Sequence, residues 1–421
     1  MNAKLIFRVI VIVLVTLGLT ALVAAQAQPA APIKAAPVDE LGESGSPAAN
    51  KSEIEPNNDT SDADWLVLGD VIAGKIDSPG DVDYYALATP SGYLELMADI
   101  DAQMNGSPLD AKICLLKGDG VTVQTCSDDS NGVDPMVWGA IWWTEGPAYL
   151  RVKAYDANVG GNAYTYRLAV YRPLLVSPAK GGTVAGIQFQ AADVLSHYDF
   201  ADGTEKWMLF FDASDVDITK NVAVLHADPG YTTKIVLGLS ATQSMWIGTD
   251  GVHPVTPYDS IAFQYGATES SSGSLGPNTV GYFEFFYNYK PEGLTAAGEK
   301  IDALADWFDF STTGAAKFPA NGLKTQDEDI VFAAYAAGYL ELDGSLIPGL
   351  AAEDVVGADE GDGDLYYLTI KGSGRIDGRT FTEKDIFVVD SATNHVVAPY
   401  LYWHGPDHHF NYNIDAIDVV N

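Results

Sequence analysis

The chain has 421 residues, 47% of them apolar, with 57 acidic against 23 basic side chains and a net charge of -34. That length holds two or three domains with cores of their own, and that apolar fraction excludes wholesale disorder. The charge repels nucleic acid and anionic lipid and favours cations or basic partners.

In chain order, Lys4 and Arg8 precede an unbroken apolar run ending near Ala25, followed by small residues suited to signal-peptide cleavage after Ala25 or Ala27. The expectation is an export signal over residues 1–27 and a secreted or cell-surface protein; retention of the run as a membrane anchor is the alternative. Residues 28–50, rich in Ala, Pro, Ser and Gly without apolar periodicity, read as a flexible spacer.

From residue 51 to 172 short alternating segments separated by Gly, Asp, Asn and Pro predict an antiparallel, jelly-roll-like β-sandwich. Cys114 and Cys126 flank Gly118-Asp119-Gly120 symmetrically in a predicted hairpin, so a cross-strand disulfide is expected in an exported protein. In "VWGAIWWTEG" a tryptophan such as Trp138, Trp142 or Trp143 can face a sugar or a protein, although strand alternation favours burial.

At the opening of the sandwich, "SEIEPNNDTSDADW" concentrates oxygen donors. Calcium takes six to eight hard oxygens, and Glu53, Glu55 and Asn57, with Asn58 or Asp59, supply them from the domain's edge. Asp81 and Asp83 bracket the start of a following strand, so pairing of the first strands brings them near. The bland alternative is that all are turn residues bonding their own backbone.

Three phrases in fixed order carry a resemblance: Glu55-Pro56-Asn57-Asn58-Asp59, then Gly80-Asp81-Val82-Asp83-Tyr84, then Gly146, Tyr149 and Val152 followed by Tyr166 and Leu168. Together they resemble the bacterial pre-peptidase C-terminal domain, a β-sandwich appended to secreted enzymes and surface proteins. The resemblance implies a binding or targeting module, and in collagenase-type relatives the matching acidic segment and Asp pair hold calcium. It therefore places calcium ligands at Glu53, Glu55, Asn57, Asp81 and Asp83.

Residues 173–182 read as a linker. Beyond it, over 183–421, four segments share an Asp followed by apolar residues, at Asp193, Asp259, Asp329 and Asp385. Each full repeat reads as an aromatic-rich strand, an Ile-Asp-Ala-like strand, a third strand and the Asp-led strand, which predicts a β-propeller-like domain of about four blades. Strands within 184–200 are expected to complete the last unit and close the ring; a second β-sandwich is the alternative. The recurring aspartates, with Asp302, Asp354 and Asp415, are expected to accept backbone N–H bonds in repeated turns rather than to hold a cation.

"HGPDHHFNYNID" gathers His404, Asp407, His408 and His409, a composition suited to zinc, but adjacent histidines in a strand face opposite ways. The sequence carries no Gly-x-Ser-x-Gly, His-Glu-x-x-His or phosphate-binding loop. The leading expectation is a non-catalytic, calcium-stabilised binding protein for an extracellular protein or polysaccharide, without nucleic acid or membrane contact beyond the signal. An extracellular peptidase or glycosidase acting from the C-terminal domain, and a structural envelope component, are the alternatives.

Overall fold

The computed structural model describes residues 42–87, 93–142, 147–228, 234–248, 251–265, 274–334 and 337–419. The expected export signal and the first part of the spacer lie outside these residues, as do the Trp142 and Trp143 side chains. Among the described residues the regular structure is β-strand with short 3-10 turns, so the all-β class expected from the alternation holds. No helix among them is long and apolar enough to cross a membrane.

Two five-stranded sheets form the N-terminal sandwich. The first runs Lys51–Ser52, Val71–Lys75, Thr165–Tyr171, Tyr93–Asp101, Met136–Trp142 in spatial order; the second runs Asp64–Leu66, Val82–Leu87, Ala148–Ala154, Ala111–Leu116, Val123–Ser127. The short edge strands Lys51–Ser52 and Asp64–Leu66 pair in parallel with their neighbours, a departure from the all-antiparallel expectation. Strict alternation along Ala148–Ala154 sends Leu150 and Val152 inward to meet Ile113, Leu115, Leu96 and Ile100. Cys114 and Cys126 sit directly opposite each other and are disulfide-bonded, with Cα atoms 4.1 Å apart.

The first sheet is buried on both faces. Leu96, Ala98, Val137, Leu168 and Val170 point into the sandwich, whereas Met97, Met136, Trp138, Ala169 and Tyr171 join a second core with Leu175, Val194, Phe210 and Phe211 of the C-terminal body. Period-two alternation turns every second residue to the opposite face, so the outward set is buried as well, apolar at Met97 and Trp138 and acidic at Asp99 and Asp101.

That body consists of four four-stranded sheets. Sheet I orders Glu205–Phe211, Val194–Asp199, Leu174–Pro178 and Ile414–Val419; sheet II orders Val222–Asp228, Lys234–Leu239, Asp259–Gln264 and Tyr282–Asn288. Sheet III orders Ile301–Leu304, Asp309–Thr312, Ile330–Ala334 and Ala337–Leu342; sheet IV orders Val355–Glu360, Leu365–Ile370, Asp385–Asp390 and His395–His404. Each sheet also carries a separate two-stranded hairpin before its Asp-led strand. The inner strands Ile414–Val419, Val222–Asp228, Ile301–Leu304 and Val355–Glu360 lie against one another in cyclic order. Asp418 Oδ2 accepts from Ala227 N at 2.6 Å and Asp359 Oδ2 from Val419 N at 2.9 Å, so carboxylates of one sheet tie the backbone of the next.

Four expectations about boundaries and phase are corrected. Residues 173–182 are not a free linker: Leu174–Pro178 is a strand with all five residues buried, paired antiparallel with Ile414–Val419. Of the strands expected from 184–200 to complete the last unit, Val194–Asp199 does share a sheet with Ile414–Val419, but Leu174–Pro178 lies between them, and Ile187–Phe189 goes to the small hairpin with Gly182–Val184. Each aromatic-rich strand closes the outer edge of its own sheet rather than opening the next unit, because it pairs with the Asp-led strand before it. The last part of the expected spacer is docked as well. Leu209 N donates to Gly42 O at 2.6 Å, Ser44 N donates to Trp207 O at 2.9 Å, and Glu43 is buried.

Candidate metal centre

At the lip of the sandwich, the edge strand Lys51–Ser52 runs on into Glu53, whose N–H donates to Ala73 O at 3.1 Å. The chain then turns through a cis Glu55-Pro56 peptide. Asn57 O accepts from Tyr84 N at 2.8 Å, and Asn57 N donates to Glu55 Oε2 at 3.2 Å. The turn is thereby held against the strand Val82–Leu87, which supplies Asp83. Carboxylate oxygens of Glu53, Glu55 and Asp83 lie within 4.8 Å of one another.

A hydroxyl relay supports the group from below. The Tyr166 hydroxyl meets Asp83 Oδ2 and lies 2.6 Å from the Tyr85 hydroxyl, which in turn meets Glu53 Oε2 at 3.2 Å. Gly74 makes room for this relay, since a Cβ there would lie 2.3 Å from Tyr166 Cζ. Burial, aided by the neighbouring carboxylates, pushes Asp83 up to about 8 and Glu53 to about 7. Asp83 Oδ1 and both amide atoms of Asn57, itself fully buried, have no hydrogen-bond partner. Unpaired buried polar atoms beside converging carboxylates fit a hard cation, which would stabilise the ionised carboxyls and take up the amide oxygen.

Asp81 is not brought into the group. Its Oδ2 accepts from Asp77 N at 2.6 Å and its Oδ1 from Val82 N at 3.1 Å, so it serves its own turn. Asp59 likewise bonds Ser61 N at 2.7 Å and stays at the surface.

The recurring aspartates have one shared role. Asp193, Asp259, Asp329 and Asp385 accept from the backbone N–H three residues earlier, at 2.6, 2.8, 2.9 and 2.7 Å respectively. In three sheets the second carboxylate oxygen reaches the end of the outer strand: Asp193 to Ala213 N at 3.0 Å, Asp329 to Gly344 N at 3.0 Å, Asp385 to His404 Nδ1 at 2.5 Å. Each staples the hairpin to the far edge of its sheet.

Two groups were invisible in sequence. Lys206, buried in the strand Glu205–Phe211, binds Glu43 Oε2 at 2.8 Å, Asp101 Oδ1 at 3.0 Å and also Asp99, so one ammonium joins the N-terminal segment, the sandwich and the body. The histidine cluster is dispersed: His404 bonds Asp385, and His409 is exposed with φ 63°. His408 instead meets His197, Asp199 and Glu205. Apart from His408, nothing local signals the members of these groups, because they are far apart in the chain.

No protein-family model matches this sequence, and neither does any curated protein. A solved structure of the pre-peptidase C-terminal domain of a collagenase from Bacillus anthracis is similar to part of the chain: 18% identity, 26% of this chain and 93% of that one, TM-score 0.21. At that score the likeness adds no weight to the geometry above.

Proposed function

We propose that this is a secreted or surface-displayed, non-catalytic binding protein. In this reading a pre-peptidase-C-terminal-like sandwich, clamped by calcium, is joined to a four-bladed propeller that presents the binding surface. The observation that carries the reading is the placing of large apolar side chains on outer strands. Tyr282 and Phe285 of sheet II, Tyr339 of sheet III, and Tyr400 and Leu401 of sheet IV are each more than two-fifths exposed. Aromatic rings left at a sheet edge suit a protein or polysaccharide partner, which they engage with little entropy loss. The Arg379 guanidinium lies 3.6 Å from the Tyr400 ring centre and so holds that ring in place.

Binding of the mature protein to immobilised polysaccharides and extracellular proteins tests the proposal, with a Phe285→Ala, Tyr400→Ala double variant expected to lose at least tenfold in affinity for the partner found. Equal binding by that variant would reject the outer strands as the surface. For the clamp, millimolar calcium is expected to raise the melting temperature of the full chain and to leave Asp83→Asn unmoved. Glu53, Glu55 and Asp83 would supply the carboxylates and Asn57 the amide oxygen.

The hydrolase alternative has a foothold where the inner strands meet. His226 Nδ1 lies 3.5 Å from Asp418 Oδ2, and Asp359 beside them is pushed well above the usual carboxylate range by burial and then by Asp418. Turnover of a peptide or glycan substrate abolished by Asp359→Asn would favour that alternative over the binding reading.

A further inference from the structure

We propose that His197, Asp199, Glu205 and His408 form a structural zinc site that fastens the last turn of the body to its first sheet. His197 and Asp199 come from the strand Val194–Asp199, Glu205 opens the paired strand Glu205–Phe211, and His408 ends the 3-10 turn Gly405–His408. The site thus joins residues more than two hundred positions apart. His197 Nε2 is 3.5 Å from Asp199 Oδ1 and 3.8 Å from Glu205 Oε2; His408 Nδ1 is 3.5 Å from Asp199 Oδ1 and 3.2 Å from Glu205 Oε1.

Zinc bonds of about 2.0–2.2 Å put the corners of a tetrahedron about 3.3–3.6 Å apart, and those of an octahedron about 2.8–3.1 Å apart. The four nitrogen–oxygen distances run from 3.2 to 3.8 Å, with Glu205 offering a different oxygen to each histidine, a spread that leaves room for a zinc ion among the four side chains. Two imidazoles and two carboxylates also form a donor set that zinc accepts. The second observation is His197 itself: 3% exposed, with Nε2 aimed at both carboxylates and lacking a hydrogen-bond partner.

The opposite edge of that ring adds a reporter. Trp403 Nε1–H donates to His197 Nδ1 at 3.2 Å, which places the ring proton on Nε2 in the metal-free state. Ligation at Nε2 moves that proton to Nδ1, against the indole N–H, so loading turns one of the two rings. One indole hydrogen bond is small beside four ligand bonds. Trp403 and Trp207, whose ring centre is 4.5 Å from that of His197, should therefore change emission as the site fills.

The test is titration of the metal-stripped full chain with zinc and, separately, cobalt(II). Expected are one equivalent bound, a raised melting temperature, altered tryptophan emission and the intense visible absorption of tetrahedral cobalt. Asp199→Asn, whose side chain is half exposed and so removable without a buried loss, and His408→Gln should each bind roughly a hundredfold more weakly. His409→Gln should bind as the parent does. No zinc uptake by the parent chain, unchanged affinity in Asp199→Asn and His408→Gln, or the weak absorption of octahedral cobalt would each overturn the site.

Discussion

Lys206 is 2% exposed and faces three carboxylates, so its removal leaves buried negative charge without a counter-ion. Lys206→Met is expected to cost about 3–5 kcal/mol, read as a lower denaturation midpoint. Burial, against the pull of Lys206, raises Asp99 to about 7 in the folded chain, above the roughly 3.9 of an unfolded aspartate. The folded state therefore binds a proton that the unfolded state has released, and the associated stability falls as pH rises between those two values. Melting temperature should drop across that window, and Asp99→Asn, which keeps an acceptor for Lys206 without the charge, should flatten the slope. This hub was illegible in the sequence because Glu43, Asp99 and Asp101 approach Lys206 only through tertiary packing. The Asp-led turns were legible, since one backbone requirement recurs four times and each time selects Asp. Asp329→Ala, which strips two backbone acceptor bonds from a buried position, is expected to destabilise by about 1–3 kcal/mol in chemical unfolding.

Among elements, period-two alternation located most strands of the sandwich and recurring phrases many of those beyond it, but neither could say which strands share a sheet. "PLLVSPAKGG" lacks alternation because Leu174–Pro178 is buried on both faces, and a short apolar stretch with Pro and Gly then passes for a joint. The phase of the repeat was lost for a related reason: aromatic-rich and Ile-Asp-Ala-like strands are neighbours in sequence but belong to different sheets. Sheet I depends on its last strand in sequence, since Ile414–Val419 completes it by pairing with Leu174–Pro178. A chain ending at residue 413 would leave that edge open and deprive two inner strands of one neighbour each. It is expected to lose cooperative thermal unfolding and to aggregate, as a calorimetric scan and light scattering would show. The disulfide works on a smaller unit. It closes a loop of sequence separation 12 in the outer hairpin of the sandwich, so replacing both cysteines by alanine should cost about 2–3 kcal/mol and leave the four-sheet body intact.

For the whole molecule, composition suggested a sandwich hung on a spacer beside an independent repeat domain, yet the two halves share a core. Trp138, 1% exposed, meets Phe210 edge-on with ring centres 5.0 Å apart, and Tyr171 packs on Tyr198 at 5.1 Å. Glu43 and Lys206 lie within the same junction. An interface that is apolar, close-packed and crossed by a buried charge hub resembles a domain interior more than a hinge, so the halves should unfold together. Calorimetry of the full chain is therefore expected to show one transition rather than two. Trp138→Ala removes the largest side chain of the junction while leaving the sandwich's inner core untouched, because Trp138 points away from it. The loss should be about 3–5 kcal/mol, enough to separate the scan into two peaks if the junction is what couples the halves. A single unshifted peak in that variant would place the coupling elsewhere, in the docked residues 42–50 that bridge both halves.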